Sequence, residues 1–168
     1  AAEAVCAGGD IDVADVIDLL THLVDKSLVA MDADGSRYRL VETVREYAHE
    51  KLDAWGEADS VRTGDLRHFL ELAEAARPEL GGPEQARWLA RLDLERENLL
   101  AAHAWADREE GSAERGLRLA YALGSYWFTR GQPGLGLRLS REALARHGAQ
   151  ERSAARCRHA EAGEQRHH

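Results

Sequence analysis

The chain has 168 residues with a formal net charge of -8, and 44% of its residues are hydrophobic against 31% charged. That composition is globular, sized for one medium domain or two small ones. Only 3 prolines occur, and Ala, Leu, Glu and Arg abound, so helix should dominate. No apolar run approaches the roughly 20 residues of a membrane span, and no basic-then-apolar leader opens the chain. Cys6 and Cys157 have no spacing that suggests a disulfide framework or a zinc motif. A cytoplasmic location is expected.

Residues Ala1 to Ala7 look like the end of a helix begun earlier, stopped by Gly8-Gly9, as if the chain were a piece of a longer protein. Asp12 can cap the next helix, with Asp15 near the positive end of its dipole. Val13, Val16, Ile17, Leu20, Leu23 and Val24 form the apolar stripe of that helix, which should end near Lys26. A hairpin follows. Leu28 to Met31 suits a strand, Asp34-Gly35 suits a tight turn because Gly tolerates positive φ, and Arg37 to Leu40 alternates as a half-buried strand does. From Val41 the period becomes helical, with Val41, Val44, Ala48, Leu52 and Trp55 on one face and Gly56 as the stop. Helix, hairpin, helix is the core of a winged-helix domain. The overall expectation is a mainly α fold: a winged helix over residues 1–57, a helical region over 58–148 and a weakly structured tail over 149–168. The boundary is a soft one, anywhere between Trp55 and Asp65.

Were this a DNA-reading winged helix, the helix before the hairpin would lie in the major groove. Its polar positions are Asp15, Asp18, Thr21, His22, Asp25 and Lys26. Three carboxylates against one lysine repel phosphate, and Arg37 and Arg39 on the wing add little, so the charge pattern speaks against direct nucleic-acid binding.

Beyond Gly56 a helix is expected over Ala58 to Arg77, with Val61, Leu66, Phe69, Leu70, Ala73 and Ala76 inward and Pro78 as its end. Gly81-Gly82-Pro83 breaks the chain. One long helix is expected from Glu84 to Arg108, with Trp88, Leu89, Leu92, Leu99, Ala102 and Ala106 along one side, widened by Leu100, His103 and Trp105. Gly111 ends it. Another single helix is expected from Ser112 to Arg130, with Leu117, Ala120, Tyr121, Gly124, Trp127 and Phe128 facing in. Gly131 to Gly134 turns the chain into a partner helix over Leu135 to Arg146. This last pair has the spacing of a tetratricopeptide repeat. With Leu123-Gly124 as the Leu-Gly of the motif, Trp127 takes the large aromatic position, and Gly136 and Ala143 take small ones. Small residues let the backbones approach and the aromatic fills the gap. Ser140 and Gly148 depart from the pattern.

Motifs for chemistry are missing. No GxxxxGK[ST] phosphate loop or GxSxG elbow occurs. His49-Glu50 begins an HExxH pattern, but Asp53 replaces the second His, so a solvated helix face is expected and no metal site. His103 beside an apolar stripe is a core or rim residue before it is a ligand or base. Glu95, Glu97, Glu109 and Glu110 are a charged surface before they are an acid/base pair. His167-His168 could hold metal only as a tag remnant would. No catalytic, cofactor-binding or metal residue is assigned.

Two stretches carry a family resemblance: Leu23 to Val29 with Tyr38 to Ala48, and Glu97-Asn98-Leu99-Leu100-Ala101-Ala102 with Trp105-Ala106. They resemble the winged-helix segment and the opening of the helical sensor region in bacterial STAND-class (NB-ARC-like) ATPases, above all the LuxR-type and AfsR-like transcriptional regulators of actinobacteria. The resemblance covers about Ala1 to Arg146. It implies an upstream nucleotide-binding module in the parent protein, holding ATP or ADP, on which the winged helix docks, and helical repeats that sense a protein or small-molecule signal. Related proteins place a Met-His-Asp motif, with its His near the phosphate, where this chain has Leu40-Val41-Glu42. Val41 cannot make that contact, so a packing role is implied. Candidate interaction residues are Arg37, Arg39, Glu42 and Arg45 at the wing and the following helix, and Trp127, Phe128 and Arg130 in the repeat; burial in the core is an equal expectation for the aromatics. The alternatives are a stand-alone DNA-binding winged helix with a helical dimerisation tail, and an enzyme whose polar cluster only a cleft around His103 would reveal. A repeat array cut after one hairpin leaves an apolar face uncovered, so self-association or marginal stability is expected.

Overall fold

In the computed structural model, residues 2–7, 11–33, 37–106, 108, 111–146 and 148 are described. The Gly8-Gly9 stop, the Asp34-Gly35 turn, Glu109 and Glu110, and the tail with Cys157 and His167-His168 lie outside them. The elements run α1 (Ala2–Cys6), α2 (Val13–Asp25), β1 (Val29–Met31), β2 (Tyr38–Leu40), α3 (Glu42–Trp55), α4 (Ala58–Glu79), α5 (Gln85–Leu94), α6 (Arg96–Trp105), α7 (Ala113–Ala122) and α8 (Gly124–Thr129). Residues 133–146 are helical and form α9. Two compact units result, 1–68 and 69–168, and the division falls inside α4.

The first unit is a helix, a two-stranded antiparallel hairpin and a helix. Asp12 stands in extended conformation before α2 but makes no side-chain cap bond. The helix closes with Ser27 N–H on the Val24 carbonyl at 2.8 Å and Leu28 N–H on the Leu23 carbonyl at 3.0 Å. Ser27 takes φ 57 to do so, a left-handed value uncommon outside glycine. Val29 pairs Leu40, Ala30 pairs Arg39 and Met31 pairs Tyr38. Helix α3 ends where its glycine requires: Gly56 has φ 72, and Glu57 N–H reaches the Leu52 carbonyl at 3.0 Å, the pattern of a glycine-terminated helix.

Burial in this unit departs from the expected stripes. On α2, Val16 is buried and Leu20, Leu23 and Val24 are half-buried, but Val13 and Ile17 are exposed to 53% and 41%. On α3, Val44, Ala48 and Leu52 are half-buried, whereas Val41 and Trp55 stand out and no residue is fully buried. Helical period locates an apolar face; it does not supply the surface that covers it. Among the described residues 2–68, only Val16, Val29, Ala58 and Leu66 are buried apolar side chains.

The described residues of the second unit are helical and carry a dense core. On α4 the expected Leu66, Phe69, Leu70, Ala73 and Ala76 are buried and Val61 is half-buried. The helix continues through Pro78 to Glu79, because proline forfeits only its own bond and Leu80 N–H still reaches the Ala76 carbonyl at 3.1 Å. The expected helix 84–108 is two helices. Glu95 sits at φ -100, ψ 8, and its N–H bonds the Leu92 carbonyl at 3.2 Å, a three-residue turn that interrupts the α register. The expected helix 112–130 likewise divides at Leu123, with ψ near zero. Leu89, Leu92, Leu99, Ala102, His103, Ala106, Ala120 and Trp127 fill the core, while Trp88, Leu100, Trp105 and Leu117 are half-buried. Tyr121 and Phe128, expected inside, are exposed to 64% and 75%; Leu119 and Tyr126 lie in the core instead. No described helix is long and apolar enough to cross a membrane.

Candidate functional site

At the wing, Arg39 on β2 meets Asp32 at 3.4 Å, and both side chains are well exposed, so the pair screens charge more than it stabilises. Arg37 is half-buried. One turn into α3, Arg45 donates to Glu42 at 2.7 Å. Arg39 and Arg45 are thus each matched to a carboxylate, and the helix before the hairpin carries Asp15, Asp18 and Asp25 on exposed positions. Val41 precedes α3 in extended conformation and is exposed; its side chain has no polar atom, so the residues present do not fit a phosphate contact.

In the second unit the three candidates separate. Trp127 is 1% exposed, and its indole N–H has no hydrogen-bond partner among the described residues. A Cβ added to Gly136 on α9 would stand 3.0 Å from Trp127 Cβ and 3.3 Å from its Cδ1. The glycine is the close-approach residue and the indole is the filler, as the spacing argument requires; Ala143 is buried as well. Gly124 has open space around a would-be Cβ, so no close packing needs it. Phe128 is on the surface. Arg130 donates through Nε to Asp93 Oδ1 at 3.0 Å and through a terminal nitrogen to Oδ2. Tyr126 donates its hydroxyl to the same Oδ1 at 2.9 Å. Desolvation by burial, with the Asp93 bond and charge, pushes the Tyr126 hydroxyl up to about 12. Arg96 donates to Gln132 at 2.7 Å, 36 residues away, so polar links tie the α5–α6 corner to α8 and the turn after it. Spacing alone did not point to Asp93, Arg96 or Tyr126; Asp93 and Arg96 sit at helix ends, where apolar period is silent.

His103 is buried at 3% exposure with Nε2 3.1 Å from the Leu139 carbonyl. Around it, Leu100, Ala104, Leu139, Glu142, Ala145 and Arg146 line an open groove of about 560 Å³. Glu142 is engaged by Arg138 and Arg146. Among the described residues that line this groove, Glu142 is the one carboxylate and His103 the one imidazole. A second open groove, about 440 Å³, lies among Glu74, Arg77, Pro78, Arg118, Tyr121, Ala122 and Ser125. Among the described residues no cluster of three His, Cys, Asp or Glu could hold a metal ion. Cys6 is free and exposed.

Residues 1–53 match the family described as "Winged helix-turn-helix domain". That segment is a winged helix. Over 132 residues, 77% of the chain, it is 47% identical to proteins of Mycobacterium tuberculosis and Mycobacterium bovis provisionally named HTH-type transcriptional regulators. An uncharacterised M. tuberculosis protein is 40% identical over 63 residues, 36% of this chain and 16% of its own length. The chain is homologous to these regulators and spans about 15% of their length. No solved structure matches significantly.

Proposed function

We propose that the chain is a non-catalytic regulatory segment of a transcriptional regulator, its winged helix seated on a protein surface and its helical unit receiving a partner. The observation that carries this reading is the pairing of an acidic α2 with exposed apolar residues: Val13 and Ile17 on α2 and Val41 and Trp55 around α3 stand in solvent. Several large apolar side chains exposed on so small a unit favour a protein contact over a phosphate contact. The seat would be a nucleotide-binding module of the same parent chain, as in STAND-class regulators of the LuxR type, with ATP or ADP held there and not by these residues. The Trp127–Gly136 packing supports a tetratricopeptide-like helical pair in the second unit.

A second reading is direct DNA binding by the winged helix with the helices as a dimerisation tail. The comparisons speak for it more directly than for docking: the matched family is a helix-turn-helix family and the relatives bear HTH-type regulator names. Those names describe whole proteins of which this segment is a small part, and α2 offers phosphate three carboxylates. Titration of the chain into a fluorescent 30-base-pair duplex separates the two. Under docking, anisotropy stays flat at low salt. A rise that collapses between about 50 and 200 mM salt establishes the DNA reading and removes the docking one.

A further inference from the structure

The groove between the end of α4 and helices α7 and α8 belongs wholly to the second unit, and its polar groups are unevenly paired. Arg118 is spent: its Nε and a terminal nitrogen donate to both carboxylate oxygens of Glu74 at 2.8 and 2.9 Å. Arg77 is not. Its guanidinium carbon lies 3.7 Å from the centroid of the Tyr121 ring, and it has no hydrogen bond or ion pair among the described residues. At 3.7 Å the guanidinium stands over the ring face in a cation–π contact, which uses none of its N–H groups as hydrogen-bond donors and leaves them for a ligand. Tyr121 itself is 64% exposed, so the stack stands at the groove rather than under it.

With two arginines and one glutamate on its walls, the groove has one cation in excess on a chain whose net charge is -8. Pro78, Ala122 and the Tyr121 ring supply apolar wall beside that cation. A fixed N–H fork next to a short apolar wall suits a carboxylate beside an apolar side chain. Phosphodiester polymers suit it less, since one free cation is a small footprint and the rest of the surface repels them.

We propose that this groove is a docking site for a peptide segment of a partner protein in which an Asp or Glu adjoins an apolar residue, with Arg77 as the carboxylate-binding group and Tyr121 as the residue that positions it. The proposal rests on the reading of the helical unit as the partner-receiving part and names the chemistry of that partner.

The test uses the full chain on an array of immobilised hexapeptides, each with one Asp or Glu flanked by Leu, Phe or Tyr, beside counterparts with Asn or Gln. The expected result is a preference for the acidic over the amide peptides that falls about tenfold in Arg77→Gln, the effect of losing one charge-assisted contact, and falls also in Tyr121→Ala. Arg87→Gln makes the same change in net charge at an exposed position on α5 and should leave the preference intact. No acidic preference, or one that Arg77→Gln retains, or one that Arg87→Gln loses equally, overturns the proposal. So does an Arg77→Gln variant that loses duplex DNA binding instead. Far-UV dichroism of each variant checks that the helices persist. A flat array removes the groove only, while the duplex titration decides the wider reading independently.

Discussion

Adding one methyl group at Gly136 should loosen the second unit, against the ordinary rule for helices. In an exposed helix interior Gly→Ala stabilises by about 0.5–1 kcal/mol, because alanine has less backbone entropy to lose. At Gly136 the new Cβ would meet Trp127 Cβ at 3.0 Å, Cδ1 at 3.3 Å and Cγ at 3.4 Å. The nearest of these atoms is bound directly to the backbone, so a rotamer change of the indole cannot clear it. Relief requires α8 and α9 to separate by a few tenths of an ångström, and Trp127 and Ala143 both lie in the buried core. Overpacking of this kind costs about 1–3 kcal/mol. The balance is a net loss near ~1 kcal/mol, or a few degrees in Tm for a unit of this size. Gly134→Ala, on the same helix with nothing within 4 Å of its would-be Cβ, supplies the control and should melt at or slightly above the parent. Thermal unfolding followed at 222 nm measures both. If Gly136→Ala melts as high as Gly134→Ala, the helices do not need a glycine at this crossing and the close-approach argument is wrong.

Trp127→Ala should cost about 3–5 kcal/mol as a large buried deletion, whereas Phe128→Ala, its exposed neighbour, should stay within about 0.5 kcal/mol; urea titration separates them. The raised hydroxyl pKa of Tyr126 favours the neutral phenol in the folded state, so its contribution is full below pH 10 and disappears as pH rises through about 12. Asp93→Asn should bring that titration, followed at 295 nm, back toward the ordinary tyrosine value, and an unchanged curve would mean that Asp93 does not hold the hydroxyl. Ile17→Lys changes a residue exposed to 41%, so it should alter stability by less than about 0.5 kcal/mol while reducing self-association in sedimentation velocity. A large loss of stability there would place Ile17 in a core.

The parts of the fold that local chemistry decides were legible. Gly56 ends α3 because a left-handed residue is needed there. The small–aromatic spacing of Gly136 and Trp127 coincides with a close approach of the two residues, whereas the expected start of the last helix at Leu135 misses that Pro133 already opens α9. The interruptions at Glu95 and Leu123 were not legible, because both residues are good helix formers and the change of direction follows from how the helices pack. Glu95 is also occupied locally, accepting from the Asn98 amide at 2.6 Å, which spacing cannot foresee. Tyr121 and Phe128 fell outside the core for a related reason. Apolar character marks what can be buried, and Leu119 and Tyr126 occupy the core in their place. The groove around Arg77 joins residues more than 40 positions apart, beyond the reach of any helical period.

Asp93 lies two residues before the break at Glu95, and its two clients lie four apart, Tyr126 on α8 and Arg130 at that helix's C-cap. One carboxylate therefore fixes the rotation of a six-residue helix about its own axis. A turn of α8 by a fraction of a residue would draw the hydroxyl and the guanidinium away from it together. Trp127 stands between those two anchors, so the Gly136 crossing and the Asp93 cross-link act on the same short stretch of chain.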